Sequence, residues 1–136
     1  MSKLSDYDEI ADRLDACWED QDGPEFRAAL LELSRVADSG HLEAAEFLAE
    51  ILALFGPHHD PATAYKWYFI ALSQRGFSTE FRDQNGTPPA YGGPVGDFRN
   101  ESMVNELVLE LGFAKVSDLD VEARAWLAGR GLPAGP

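Results

Sequence analysis

The chain contains 136 residues, 45% of them hydrophobic and 26% charged, which is typical of a single folded domain. Its 11 Lys and Arg residues against 24 Asp and Glu residues give a net charge of −13, which disfavours binding to nucleic acid and to anionic lipid because both depend on basic side chains. The only cysteine, Cys17, excludes an internal disulfide and a cysteine-based zinc cluster. The first residues lack the apolar segment of a signal peptide and no apolar stretch approaches the roughly 20 residues of a membrane span, so we expect a cytoplasmic protein without membrane contact.

Six segments carry apolar residues at the three- and four-residue steps of an amphipathic helix. They are about Ser5–Asp20, Pro24–Asp38, about Leu42–Phe55, Pro61–Gln74, Ser102–Leu111 and Ser117–Ala128. Ser5, Asp60 and Ser117 have side chains that cap helix N-termini. The last segment is expected to bury Leu119, Val121, Ala123, Trp126 and Leu127. Because no segment alternates apolar and polar residues as a strand does, the sequence predicts an all-α fold.

A different composition interrupts the helices between Phe77 and Arg99. This stretch is rich in glycine and proline and has no sustained period, which predicts a long loop inserted at residues 76–100. Loops of that length in a compact domain are usually functional or disordered, and four aromatic residues favour order here: Phe77, Phe81, Tyr91 and Phe98. Residues 130–136 are expected to form a frayed tail, and residues 1–136 together one domain.

An internal repeat connects the second and fourth helices. Gly40 and Gly76 lie 36 residues apart and each follows a helix; small and large residues recur at matched distances before them, Ala28 and Leu31 in one case and Ala64 and Trp67 in the other. Between the glycines the chain reads Gly40-x-x-x-Ala44-Ala45-x-x-Leu48-Ala49, then Gly56, then Asp60-Pro61-x-x-Ala64-x-x-Trp67-Tyr68-x-x-Ala71. This pattern resembles one Sel1-like repeat, a relative of the tetratricopeptide repeat, over about a quarter of the chain.

The resemblance implies a short right-handed superhelix of about three antiparallel hairpins, made by helices one and two, three and four, and five and six. Ala123-x-x-Trp126 in the last helix repeats the spacing of Ala64 and Trp67. The chain departs from the family pattern after the second hairpin, where residues 76–100 replace a tight turn. Trp67-Tyr68-Phe69 and Trp126 are predicted to pack in the core.

Three short motifs contain residue types that bind metals or act as nucleophiles. His58-His59-Asp60 is interpreted as a turn in which Asp60 caps the next helix, because adjacent side chains rarely converge on one ion. Asp83-Gln84-Asn85-Gly86 is interpreted as a turn, with calcium binding as the minor alternative, because an EF-hand needs Glu where Pro94 stands. Cys17 is predicted to be a small buried residue on an apolar stripe. We therefore predict no metal, no cofactor and no catalytic residue.

Acidic residues are concentrated near the N terminus. Asp6 to Asp22 hold eight acids and one base, Arg13, which amounts to −7 of the total charge. Such a run is commonly a solvated helix face, and it also suits the attraction of a cationic partner. We predict that a basic protein partner contacts the first helix and the inserted loop through Asp12, Asp15, Glu19, Asp83, Tyr91, Asp97 and Phe98.

Two non-enzymatic functions fit this sequence. In the first, the protein is an acidic inhibitor of one basic protein, such as the immunity partner of a bacterial toxin, a role that some Sel1-like proteins have. In the second, it is an adaptor whose groove holds a peptide or a helix of a larger assembly. The first function is favoured because a single compact module with this net charge suggests one dedicated partner. An enzyme with a site assembled from scattered residues is the third alternative, and we expect a monomer or a weak homodimer.

Overall fold

The computed structural model describes residues 3–54, 56–77 and 101–132. These ranges contain no strand and six helices: α1 (Lys3–Ala16), α2 (Pro24–Asp38), α3 (Leu42–Ala53), α4 (Pro61–Gln74), α5 (Ser102–Leu111) and α6 (Phe113–Gly129). The all-α prediction is confirmed for this part of the chain. Of the predicted insertion, only Gly76 and Phe77 belong to the described residues.

Three of the six helices have the predicted bounds, and three differ. α1 begins at Lys3 and α6 at Phe113, so the predicted N-caps at Ser5 and Ser117 are wrong, and both residues lie inside helices. α6 begins early because Gly112 adopts a φ of 88°, which lets the chain turn directly from α5 into α6. α1 ends at Ala16, four residues before its predicted end, and α3 ends at Ala53, two residues before its predicted end.

The helices α2, α4 and α6 end in the same type of turn. A glycine with positive φ follows each helix: Gly40 at 104°, Gly76 at 97° and Gly131 at 68°. The next residue donates its N–H to the carbonyl five positions earlier: His41 to Val36, Phe77 to Leu72 and Leu132 to Leu127. The 36-residue spacing in the sequence therefore corresponds to a repeated structural turn. Residues 130–132, predicted as part of a frayed tail, instead close α6, and residues 133–136 lie outside the described part.

The core is centred on α4, which packs against α3, α5 and α6. Tyr65 and Phe69 are fully buried, and Trp67 and Tyr68 are 6% and 8% exposed. The predicted core position of Trp67-Tyr68-Phe69 is thereby confirmed. Trp126 is only half-buried; it meets Trp67 edge to face, with ring centroids 5.6 Å apart.

Residues 36 positions apart in α2 and α4 are buried in matched pairs, but these pairs are not the ones that the sequence pattern singled out. Three matched pairs are buried: Ala29 and Tyr65, Leu33 and Phe69, and Ala37 and Ser73. By contrast, Leu31 is 55% exposed although its counterpart Trp67 is buried. The difference arises because Trp67 packs against Trp126 of α6, whereas no helix in the described part covers Leu31 on α2.

One buried polar pair joins α4 to α6. The Tyr65 hydroxyl donates a hydrogen bond of 2.6 Å to Oδ1 of Asp120, and both residues are buried. The prediction that Val121 is buried is wrong, since Val121 is 68% exposed. The buried face of α6 keeps helical spacing through Asp120 instead: Val116, Leu119, Asp120, Ala123 and Leu127.

Candidate functional site

A groove formed by α1, α3 and the residue that follows α4 collects four carboxylates. We name it the acidic groove; its volume is about 500 Å³, and it is lined by Tyr7, Ala11, Asp15, Glu43, Glu46, Phe47, Glu50 and Arg75. Its size is that of a pocket that takes a small ligand or a few side chains of a protein.

The acidic side chains of α3 share this groove because of their spacing. Glu43, Glu46 and Glu50 follow one another at three- and four-residue steps, which places them on one face of the helix. His41 caps α3, since its Nδ1 accepts a hydrogen bond of 3.1 Å from the Ala44 N–H. The His41 ring also stacks on Tyr7 of α1, with centroids 4.6 Å apart. This contact joins α1 to the start of α3 beside the groove.

Arg75 is the only basic residue that lines the acidic groove in the described part of the chain. Its guanidinium binds Glu46 through two hydrogen bonds, one from Nε to Oε2 at 2.8 Å and one from Nη2 to Oε1. The hydrogen bond to Glu46 raises the pKa of Arg75. Asp15, Glu43 and Glu50 form no ion pair with any described residue, so the lining carries three unpaired negative charges.

Burial raises the pKa values of three side chains near this surface, and neighbouring carboxylates add to the effect. Partial burial raises the pKa of the Glu50 carboxyl, and the neighbouring Glu46 raises it further. Burial raises the pKa of Tyr68 to about 12, with Glu50 and Glu46 adding to the effect. Burial and then Glu43 raise the pKa of Tyr7 in the same direction. An arriving cation would relieve this repulsion.

The structure separates the acidic residues predicted on the first helix. Asp15 lines the acidic groove, whereas Glu19 lines a different pocket of about 450 Å³, together with Asp20 and Asp22 at the α1–α2 turn. Asp12 is exposed and lines neither of them. The predicted contact residues of the insertion lie outside the described residues: Asp83, Tyr91, Asp97 and Phe98.

Sequence reasoning missed the three glutamates of α3. Glu43, Glu46 and Glu50 gave a usable signal, since their spacing marks a continuous acidic stripe. The apolar residues of α3 predict its buried face and give no information about this acidic stripe. The concave site also needs α1 beside that stripe, and no local pattern specifies this contact.

A second groove lies between the end of α3 and α5 and is mainly apolar. We name it the apolar groove; its volume is about 490 Å³, and it is lined by Ala53, Met103, Glu106, Leu107, Leu109 and Glu110. Leu109 is 77% exposed, more than any other large apolar side chain of the described residues. The groove therefore offers an apolar contact surface with two glutamates at its edge.

His59 connects the α3–α4 turn to the edge of the apolar groove. Its Nε2 lies 2.8 Å from Oε2 of Glu110, and its Nδ1 lies 3.1 Å from the Leu54 carbonyl oxygen. Because a carbonyl and an ionised carboxylate only accept hydrogen bonds, both ring nitrogens must donate, and the geometry favours the protonated ring. The hydrogen bond to Glu110 accordingly raises the pKa of His59.

The His58-His59-Asp60 motif forms the predicted turn. Oδ1 of Asp60 accepts a hydrogen bond of 3.2 Å from the Thr63 N–H, which caps α4 as predicted. His58 donates to the Gln21 carbonyl at 2.7 Å. No group of three metal-ligand side chains is assembled within residues 3–54, 56–77 and 101–132. Cys17 is half-buried, more exposed than predicted, and its thiol donates to the Arg13 carbonyl at 2.9 Å.

None of the helices among the described residues combines the length and the apolar character needed to cross a bilayer. Comparisons of the chain with protein-family profiles, with curated proteins and with solved structures find no match. The resemblance to a Sel1-like repeat therefore stays a prediction.

Proposed function

We propose that this protein is an interaction module that binds one basic protein, as an inhibitor or immunity protein of a bacterial toxin does. The observation that carries the proposal is the acidic groove, where Asp15, Glu43 and Glu50 face one cavity without a cation of their own. These three carboxylates are exposed and carry the same charge on one surface, which would attract a basic partner. Charge complementarity of this kind speeds association and rejects acidic competitors.

A Sel1-like frame of three hairpins supports this function. α2, α4 and α6 would be the second helices of the hairpins, and these three helices end in the same glycine turn. Stacked hairpins form a short right-handed superhelix with concave surfaces for partners. The acidic groove lies between α1 and α3, the first helices of two successive hairpins. In this proposal, Glu19 and the insertion residues Asp83, Tyr91, Asp97 and Phe98 extend the contact and add specificity.

Charge reversal in the groove tests the proposal. The basic protein captured by the wild-type chain from its source cells is purified, and its association rate is measured with the wild type and with the triple variant Asp15→Lys, Glu43→Lys, Glu50→Lys. We expect one-to-one binding and an association rate at least about tenfold slower for the variant at low salt. The two rates should converge at high salt because screening removes the long-range attraction.

A matched variant separates the groove from the overall charge. Glu25→Lys, Asp118→Lys and Glu122→Lys together change the net charge equally at exposed positions outside the groove. We expect this control to slow association much less. Equal slowing by both triple variants, or binding to many partners with no fixed stoichiometry, would contradict the proposal.

The apolar groove favours a second candidate function, that of an adaptor. Its exposed Leu109 and the adjoining Met103 offer the contact that an amphipathic helix makes with a hydrophobic groove. Leu109→Ser distinguishes the two functions. An adaptor would lose its partners through this substitution, whereas an inhibitor that binds through the acidic groove would retain its toxin.

A further inference from the structure

His41 opens helix α3 at the edge of the acidic groove. Its Nδ1 lies 3.1 Å from the backbone nitrogen of Ala44 and accepts that N–H, which caps the helix. Its half-buried ring stacks on Tyr7, a residue that lines the groove, with centroids 4.6 Å apart. α1 packs mainly on α2, so this stack is a direct link from α1 to the start of α3.

The hydrogen bond from Ala44 determines the protonation state of the His41 ring. A backbone N–H only donates, so Nδ1 must present its lone pair, and the proton of the neutral ring lies on Nε2. A protonated ring carries an N–H at both nitrogens, and an N–H at Nδ1 would face the Ala44 N–H with no acceptor between them. The cap of α3 therefore requires the neutral ring.

His59, which follows α3, has the opposite requirement. Its two ring nitrogens face the Leu54 carbonyl and the Glu110 carboxylate, so its contacts favour the protonated ring. Acid therefore strengthens the contact beyond the end of α3 and removes the cap at its start. The two histidines respond in opposite directions because one faces a donor and the other faces acceptors.

The charged groups nearest the stacked rings are carboxylates of α1 and α3. Burial raises the pKa of Tyr7, and four carboxylates raise it further: Glu43, Asp8, Glu50 and Glu46. Because the His41 ring lies against Tyr7, the same carboxylates surround it. A positive charge on the ring is favourable beside these carboxylates and on the face of Tyr7. Protonation thus removes the cap and preserves the stack.

The other charged groups of the neighbouring elements already have partners or lie on another surface. Arg75, which follows α4, binds Glu46. Asp38, the last residue of α2, accepts hydrogen bonds from side chains at the end of α6. Arg35 of α2 lines a separate pocket, of about 330 Å³, on the other side of α1 from Tyr7. Among these side-chain types, imidazole is the one that changes its charge between about pH 5 and 8.

We propose that His41 is a pH-sensitive switch at the start of α3. The neutral ring caps the helix, and the protonated ring gives up the cap and adds one positive charge at the edge of the acidic groove. The first turn of α3, which carries Glu43, then loses a hydrogen bond that orders it. Weaker binding of a basic partner in acid rests on the proposed function, whereas the switch itself does not.

Nuclear magnetic resonance of the full chain tests the switch. The chain has three histidines, so their imidazole nitrogen signals are assigned with His41→Asn and His59→Gln. At about pH 8 we expect the His41 proton on Nε2 and none on Nδ1. At about pH 5.5 both nitrogens should carry protons, and the Ala44 amide should lose about three- to tenfold of its protection from hydrogen exchange, relative to unstructured peptides at each pH.

Two variants assign this loss of protection to His41. His41→Asn keeps an oxygen that accepts the Ala44 N–H and takes up no proton, so its Ala44 protection should be equal at the two pH values. His59→Gln is the matched control and should show the wild-type loss. A proton on Nδ1 of His41 at about pH 8 would overturn the switch, as would an equal loss of Ala44 protection in His41→Asn.

Binding of tetralysine measures the charge that the switch adds to the groove, because the amino groups of this peptide stay charged over the whole range. At low salt, the affinity of the wild type should fall between about pH 8 and about pH 5.5 by at least about twofold more than that of His41→Asn. Equal changes in the two proteins would overturn the effect on the groove. Failure of the proposed function appears in a different measurement, the association rate with the whole partner.

Discussion

The acidic groove and the apolar groove share helix α3 but are built in different ways. Glu43, Glu46 and Glu50 project from a face of α3 that the core does not use. Ala53 and Leu107, in contrast, line the apolar groove and also belong to the buried core. The acidic side chains therefore lie outside the hydrophobic core, whereas part of the lining of the apolar groove belongs to that core. Substitutions of the acidic side chains should therefore change binding with little effect on stability, whereas substitutions of the core residues in the apolar groove should change stability as well.

The largest expected effect is at the floor of the apolar groove. Leu107 is 2% exposed, so Leu107→Ala removes buried methyl groups and leaves a cavity, which should lower the free energy of unfolding by about 2–5 kcal/mol. Leu109→Ala, in the same groove at 77% exposure, should change it by less than about 0.5 kcal/mol. Urea denaturation measures both variants. Similar losses would contradict the distinction between floor and edge.

A pair of tyrosines on α4 sharpens the comparison. Tyr65→Phe removes the hydroxyl that donates to Asp120, and we expect the free energy of unfolding to fall by about 1–3 kcal/mol. Tyr68→Phe removes a hydroxyl that has no hydrogen bond with the described residues, so it should be neutral or slightly stabilising. Thermal and urea denaturation of the two variants measure this difference. A larger loss for Tyr68→Phe would show that its hydroxyl is already satisfied in the free protein.

The spacing of apolar residues was sufficient to locate the six helices. It did not predict the helix ends that glycine geometry determines or the burial that tertiary contacts determine. Pro24–Asp38, Pro61–Gln74 and Ser102–Leu111 have the bounds that their apolar spacing and turn residues predict. The sequence predicts that α6 begins at Ser117, because serine often caps helices, whereas the helix begins four residues earlier, at Phe113. Gly112 has a positive φ and turns the chain directly from α5 into α6. The sequence predicts that Val121 is buried, but Asp120 is buried in its place. A hydrophobicity pattern does not predict a buried carboxylate whose partner is a tyrosine on another helix.

The candidate site was less predictable than the fold. Asp15 was predicted as a contact residue and lies in the acidic groove, but the other carboxylates of the groove come from α3, and only the tertiary fold places α1 beside them. The His59–Glu110 contact joins residues 51 positions apart, a separation that local patterns do not resolve.

The contact of His59 with Glu110 gives the apolar groove a pH dependence. The folded-state pKa of His59 is raised above the ordinary value of 6.5, so its contribution to stability is present below that value and is lost as pH rises through the folded-state pKa. We compare urea denaturation of the wild type and His59→Gln at about pH 5.5 and about pH 8.5. At the lower pH the wild type should be more stable than His59→Gln by about 0.2–1 kcal/mol, and this difference between the two proteins should shrink at the higher pH. An advantage that grows with pH would contradict the protonated contact.

The smallest expected effect belongs to Glu50, and its sign is informative. The folded-state pKa of this carboxyl is raised above 4.5, so the proton-bound form favours folding, and that contribution is lost as pH rises through the folded-state pKa. Glu50→Gln removes this loss and should be more stable than the wild type near pH 7, by no more than about 0.5 kcal/mol, with the difference vanishing near about pH 4. Urea denaturation at the two pH values measures it, with Glu122→Gln as an exposed control. A wild type that gains on the variant as pH rises would mean that a cation already pairs with Glu50, and Asp15 and Glu43 would then be the unpaired charges left in the acidic groove for a basic partner.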